Sequence, residues 1–189
     1  TFLELKTLNG HNSECHLRCL VLDYDHLQLW IDVRISPFGI TDKAGGDPMT
    51  TGHTIHDLSF PDGNSINECT DQGALNCLEY RLCDDNSAKV LRLKSDAPDE
   101  DLFVMTGDVT SAFRNVSIHS EVMHLVAGAI DEKAALIIEH SAAFGWAGSP
   151  NCYKVNGGAI SHVHRRACNV SGPNGFFSYH CVDDHVNIA

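Results

Sequence analysis

The chain has 189 residues, 43% of them apolar and 20% charged, and carries a net charge of −12 from 13 Lys and Arg against 25 Asp and Glu. That length suits one domain, or one domain with a lobe, and the apolar share supports a real core. The acidic balance argues against non-specific duplex binding, which needs clustered cations to displace counterions, and is compatible with a divalent cation or with a larger assembly whose basic parts lie elsewhere.

Residues 1 to 50 carry the least signal. Thr1 to Arg18 is polar and interrupted by charge, unlike a secretory leader, and no run of about 18 apolar residues is present to span a membrane. The expectation is an intracellular protein of cytoplasm or nucleus, not secreted and without a membrane partner. The start at Thr1 rather than Met reads as a fragment. Eight cysteines form no regular framework and are expected to be reduced thiols. His11, Cys15, His16 and Cys19 cluster, but the paired ligands of a structural zinc site are missing and zinc is not expected.

Cys19 to Leu22 and Leu27 to Ile31 read as short buried strands or helix pieces, followed by a Gly, Asp and Pro-rich loop over Ser36 to Thr51. His56 to Asn67 reads as a strand end running into a turn. A short helix is predicted over Asp84 to Leu93, capped by Asp84 or Asp85. An acidic linker, Ser95 to Asp101, leads into the apolar strand Leu102 to Met105. Glu121 to Ile130 and Leu136 to Glu139 flank the polar Asp131-Glu132-Lys133 as a β-hairpin, with a helical alternative for the Ala-rich middle. Pro150 starts a helix over Asn151 to Arg166, in which Gly157 and Gly158 either weaken the helix or permit close packing. Gly172-Pro173-Asn174-Gly175 is a strong turn.

Three segments carry candidate chemistry. Asp108 ends a strand in Met105-Thr106-Gly107-Asp108-Val109, where a sheet presents a metal-binding carboxylate; a plain cap of the next turn is the alternative. Phe144-Gly145-Trp146-Ala147-Gly148-Ser149-Pro150 places glycines where a backbone can approach a flat ligand or phosphate closely, and a simple turn is the alternative. Asp183 and Asp184 lie between Phe177-Ser178-Tyr179-His180-Cys181-Val182 and His185-Val186-Asn187-Ile188. This is an acidic turn between two strands, which either holds a divalent cation or is simply solvated.

In this order the segments resemble the palm of a reverse transcriptase. Asp108 opens the first catalytic motif, Gly145 to Pro150 is similar to the nucleotide-binding motif, and Val182-Asp183-Asp184 resembles the end of Y-x-D-D, with Asp183 lying 75 residues after Asp108. Ile55-His56-Asp57-Leu58-Ser59-Phe60-Pro61, with Gly63, Ser65, Ile66 and Asn67, resembles a fingers segment of retroelement polymerases, notably those with tyrosine recombinases. The resemblance covers residues 53 to 189.

It implies an α+β fold: an antiparallel palm sheet backed by helices over 105–189, a partial fingers lobe over 51–104, and an unassigned segment over 1–50. It implies RNA-directed DNA polymerase activity, with Asp108, Asp183 and Asp184 holding two Mg²⁺ (or Mn²⁺) ions. Val109, Phe113, Phe144, Gly145 and His53 would bind the deoxynucleoside triphosphate, with the Phe113 ring as a gate against a 2′-hydroxyl. The implied partners are an RNA or DNA template with its primer, deoxynucleoside triphosphates, and the rest of the polymerase, thumb and RNase H, which the chain lacks; the chain alone is expected to be inactive. Cys181 stands where the family has Tyr or Phe, and His53 where it often has Arg. Those departures support the alternative, a degenerate non-catalytic copy that keeps the palm fold.

Other clusters suggest less. Glu121-Val122-Met123-His124 has the spacing of an iron-binding pair without its second copy. His162, His164, Arg165 and Arg166 form a basic patch that either follows a nucleic-acid backbone or is a solvated helix face. Asn115-Val116-Ser117 and Asn169-Val170-Ser171 fit a glycosylation pattern that has no meaning without secretion.

Overall fold

The computed structural model describes residues 18–42, 45, 52–75, 82–170, 172, 173 and 175–189, with only the backbone of Asp42, His53 and Leu82. In chain order the elements are β1 (Cys19–Asp23), β2 (Phe38–Asp42), β3 (Gly52–His56), α1 (Ile66–Cys69), α2 (Leu82–Asp96), β4 (Val104–Asp108), β5 (Ala127–Ile130), β6 (Ala135–Glu139), α3 (Ser149–Arg166), β7 (Ser178–Cys181) and β8 (Asp184–Ile188). All strand pairing within the sheets is antiparallel, and the fold is α+β. His11, Cys15 and His16 of the zinc candidate lie outside the described residues, and Cys19 is buried in β1. Asn174 of the Gly172–Gly175 turn also lies outside them, while the Gly175 N–H closes that turn on the Gly172 carbonyl at 3.1 Å.

The chain forms two compact units, and each is discontinuous: residues 1–75 with 113–149, and residues 76–112 with 150–189. The division expected at 104/105 falls inside the second unit.

In the first unit, β6 is the middle strand of a β1-β6-β5 sheet. Its unbroken apolar run Ala135-Leu136-Ile137-Ile138 is the mark of a strand buried on both faces. Alternate residues serve different clusters: Ile137 packs with Cys19, Phe38 and Ile130, while Leu136 and Ile138 pack with Ala127. Gly128 makes room for Phe38, since a Cβ there would lie 2.3 Å from the ring. β5 and β6 form the expected hairpin, closed by the tight turn Asp131–Lys133 and by Ala134 at φ 47°. The first half of Glu121 to Ile130 is instead a 3-10 turn, Ser120–Leu125, started by the His119 side chain accepting the Glu121 N–H.

Two expectations fail here. Leu27 to Ile31 is not a buried element: a 3-10 turn over Tyr24–Gln28 starts where the Asp23 carboxylate accepts the Asp25 N–H, and Leu29 and Ile31 emerge 84% and 86% exposed. Nor is Ser36 to Thr51 a continuous loop. Phe38-Gly39-Ile40-Thr41-Asp42 pairs with β3 from Phe38↔His56 to Asp42↔Gly52, an alternation that the neighbouring glycines, aspartates and proline obscured. After β3 the chain turns into α1 through a capping box: the Ser65 hydroxyl accepts the Glu68 N–H and the Glu68 carboxylate accepts the Ser65 N–H.

The second unit is built on a β4-β8-β7 sheet. α2, longer at both ends than the predicted Asp84 to Leu93, packs on β7 and β8. α3 lies on β7 by its glycine face: Gly157 is buried, and a Cβ on it would meet the His180 ring at 2.7 Å. The paired glycines therefore serve close packing. Three polar contacts fix this approach: Ser161 Oγ lies 3.3 Å from His180 Nδ1, the Ser178 hydroxyl donates to Ser161 Oγ at 3.4 Å, and Arg165 Nε donates to the Ser178 carbonyl at 2.7 Å. β4 begins two residues later than expected, and all five of its residues are exposed. Among the described residues, no helix is long and apolar enough to cross a membrane.

Candidate functional site

The second unit gathers the three carboxylates. Register places Asp108, the last residue of β4, directly opposite Asp184, the first of β8. Cross-strand partners point to the same face with Cβ atoms roughly 4.5–5.5 Å apart, so these carboxylates share one end of the sheet. Asp183 occupies the two-residue β7–β8 connection, and its carbonyl accepts the Val109 N–H at 3.0 Å, tying the turn to the end of β4. Val182, the other turn residue, sits at φ 54°, a left-handed conformation unusual for a β-branched side chain. Cys181 faces Asp184 across the hairpin, in the same row as Asp108.

Electrostatics report the crowding. The Asp183 carboxyl is pushed above its ordinary value, first by burial and then by the charges of Asp108 and Asp184. Burial and the Asp184 and Asp183 charges raise the Cys181 thiol as well, so it stays protonated. Tyr153, buried on α3, has its phenol pushed up by burial, then by Asp183 and Asp108. Burial is the larger cause at each of these groups, and the part contributed by the neighbouring carboxylates is the part that a cation would relieve. Carboxylate oxygens are the hard donors Mg²⁺ and Mn²⁺ prefer, so the donor chemistry fits. The carboxylates are not drawn together into a finished cage: among the described residues, no three His, Cys, Asp or Glu form a group ready to hold a metal ion.

The residues expected to bind nucleotide divide between the units. Val109 belongs to the second, half-buried, with its N–H engaged by Asp183. His53, Phe113, Phe144 and Gly145 belong to the first. The backbone of His53 pairs with Thr41 in the β2–β3 hairpin, and its side chain lies outside what is described. Phe113 and Phe144 meet ring to ring with centroids 5.7 Å apart, and Phe144 is 45% exposed.

The 144–149 loop is held by the 55–70 segment, which is what brings two separate sequence motifs together within the first unit. The His56 N–H donates to the Phe144 carbonyl at 2.8 Å. Asn67 works from both ends of its amide: Nδ2 donates to the Gly145 carbonyl at 2.9 Å, and Oδ1 accepts the Ala147 N–H at 2.8 Å. Trp146 Nε1 donates to Thr70 Oγ1 at 3.0 Å. Gly145 sits at φ 130°, and a Cβ there would lie 1.9 Å from the His56 carbonyl oxygen, so only glycine fits.

Sequence reasoning missed the clamp role of Asn67, although Asn67 was part of the recognised segment. It also missed the buried Arg114–Glu139 ion pair, with Arg114 next to Phe113. Burial raises the Glu139 carboxyl and the Arg114 charge opposes that rise. The only local signal was an acid ending an apolar strand. No protein-family model matches the chain, and no curated protein matches its sequence.

Proposed function

We propose that this chain carries the fingers and palm of a retroelement reverse transcriptase, an RNA-directed DNA polymerase that joins deoxynucleotides by metal-assisted phosphoryl transfer. The observation that supports it best is the register that sets Asp108 opposite Asp184 with Asp183 in the adjoining turn. Two Mg²⁺ or Mn²⁺ ions, when bound, would supply the acidity to activate a primer 3′-hydroxyl and the charge to stabilise a leaving pyrophosphate. Asp108, Asp183 and Asp184 would hold them. The Val109–Asp183 hydrogen bond keeps the turn in register with β4, and Tyr153 keeps its proton beside the carboxylates. Phe113, Phe144, Gly145, Val109 and His53 are the proposed nucleotide contacts, and template, primer and deoxynucleoside triphosphates the proposed partners.

Mn²⁺ titration followed by electron paramagnetic resonance tests this reading. Binding that Asp183→Asn and Asp108→Asn each abolish is expected; no binding, or binding indifferent to both changes, refutes it. A second reading, a degenerate copy that keeps the palm without its chemistry, draws on the absence among the described residues of a group ready to hold a metal. It expects no specific Mn²⁺ binding, so the same titration separates the two.

A further inference from the structure

We propose that the hollow between α3 and β7 in the second unit is a phosphate subsite that takes a phosphodiester of a nucleic-acid strand. The identity of the strand rests on the polymerase reading above; the anion preference does not. The hollow has a volume of about 300 Å³, near the lower end for ligand sites and roughly enough for a phosphate with part of its sugar. Lys154, Ser161, His162 and Arg165 line it from the helix, and Tyr179 and His180 from the strand. Positions 154, 158, 161, 162 and 165 follow the i, i+4, i+7, i+8, i+11 pattern of a single helical face. Gly158, also in the lining, leaves that face open at its centre.

Charge makes the hollow distinctive. The chain holds 13 Lys and Arg against 25 Asp and Glu, yet two full cations and two imidazoles converge here with no carboxylate in the lining. Arg165 is held in place through Nε, which donates to the Ser178 carbonyl at 2.7 Å, and a guanidinium carries four further N–H donors. The positive field also appears at His180, whose imidazole is pushed down first by burial and then by His185, Arg165 and Lys154. Ser161 and Tyr179 add hydroxyl groups to the lining, and Arg is suited to phosphate as a planar fork. The basic patch at the end of α3 thus divides: His162 and Arg165 belong to the hollow, while His164 stacks on Phe176 at 5.5 Å.

The test uses the full chain in excess chelator, so that no metal contributes. A fluorescein-labelled single-stranded oligonucleotide is followed by anisotropy across a salt series, with inorganic phosphate as competitor. Binding is expected, with Lys154→Gln weakening it roughly tenfold, the scale of one charge-assisted hydrogen bond. The same change should reduce the slope of log K against log salt by about 0.7. Lys154→Arg should retain binding, which separates lost charge from lost fold. An oligonucleotide affinity untouched by Lys154→Gln overturns the subsite. Competition by inorganic phosphate supports phosphate recognition, whereas phosphate binding without oligonucleotide binding overturns the strand as its occupant. A chain that binds the oligonucleotide here but binds no Mn²⁺ keeps this subsite and loses the polymerase reading; the reverse result loses the subsite alone.

Discussion

Replacing His56 by Gln should remove an acid-sensitive element from the first unit. His56 is fully buried, its Nε2 donates to the Ala127 carbonyl at 3.0 Å, and its ring packs on Phe38 with centroids 4.5 Å apart. Burial lowers its pKa from 6.5 to about 4; the Ala127 hydrogen bond opposes that fall and the Arg114 charge adds to it. A depressed folded-state pKa means that the unfolded chain takes up the proton first as pH falls. Stability is therefore intact above pH 6.5, declines below it, and stops declining for this group near pH 4. The full shift corresponds to about 3 kcal/mol, of which about 2 kcal/mol is lost by pH 5. Carboxylates also titrate near that range, so the informative quantity is wild type minus His56→Gln, since Gln can still donate near Ala127 but cannot titrate. Urea unfolding followed by tryptophan fluorescence reports the first unit, because Trp30 and Trp146 both lie in it. The wild-type stability relative to the variant should fall by about 2 kcal/mol between pH 7.5 and pH 5. A difference that stays constant over that range refutes the buried neutral imidazole.

Asn67→Ala removes both bonds that clamp the 144–149 loop and should cost about 2 kcal/mol, with faster amide exchange at Ala147 as the local readout. Gly145→Ala should be worse than that, by urea unfolding, because its Cβ would collide with backbone that cannot yield. Asp183→Asn should raise the thermal midpoint of the metal-free chain at pH 7, since the raised carboxyl pKa means its charge opposes folding once ionised, and the gain should vanish at acid pH. Val182→Gly should stabilise the hairpin by about 1 kcal/mol in chemical denaturation, by relieving a left-handed valine.

Local signals were legible where one segment specified one element. The acidic pair between two apolar and aromatic runs gave the hairpin, although of the two carboxylates expected in its turn only Asp183 lies there and Asp184 opens β8, and Pro150 gave the start of α3 to within a residue or two. Asp108 was readable as a strand end because apolar residues precede it. What the sequence did not disclose depends on distant pairing. β6 joins β1 across more than a hundred residues, Cys19 opposite Glu139, and that closure makes the first unit discontinuous. No composition shift marks the crossings near residues 75, 112 and 149. β2 was hidden because its short alternation, Phe38 and Ile40 against Gly39 and Thr41, lies among glycines, aspartates and a proline that read as loop. Leu29 and Ile31 misled in the opposite direction: apolar side chains suggested a core that the 3-10 turn before them turns away from. Asn67 was visible as a residue, but its two partners lie 78 and 80 residues away.

The carboxylate end of the second unit concentrates features that oppose folding. Asp108 and Asp184 repel across the sheet, Asp183 carries a partly buried charge beside them, Val182 adopts a left-handed backbone, and every residue of β4 is exposed. Holding them in place are the five-pair β4–β8 ladder, the Val109–Asp183 bond, and the burial of Val186 and Ile188 further along β8. On the proposed reading these are the costs of a working site, where charge and strain are held ready for a ligand that relieves them. A divalent cation would offset one of them, the negative charges of Asp108 and Asp184 that act on the partly buried Asp183. The stability of this end should therefore depend on Mn²⁺ far more than that of the first unit, where the buried charge of Glu139 already has Arg114 as its partner.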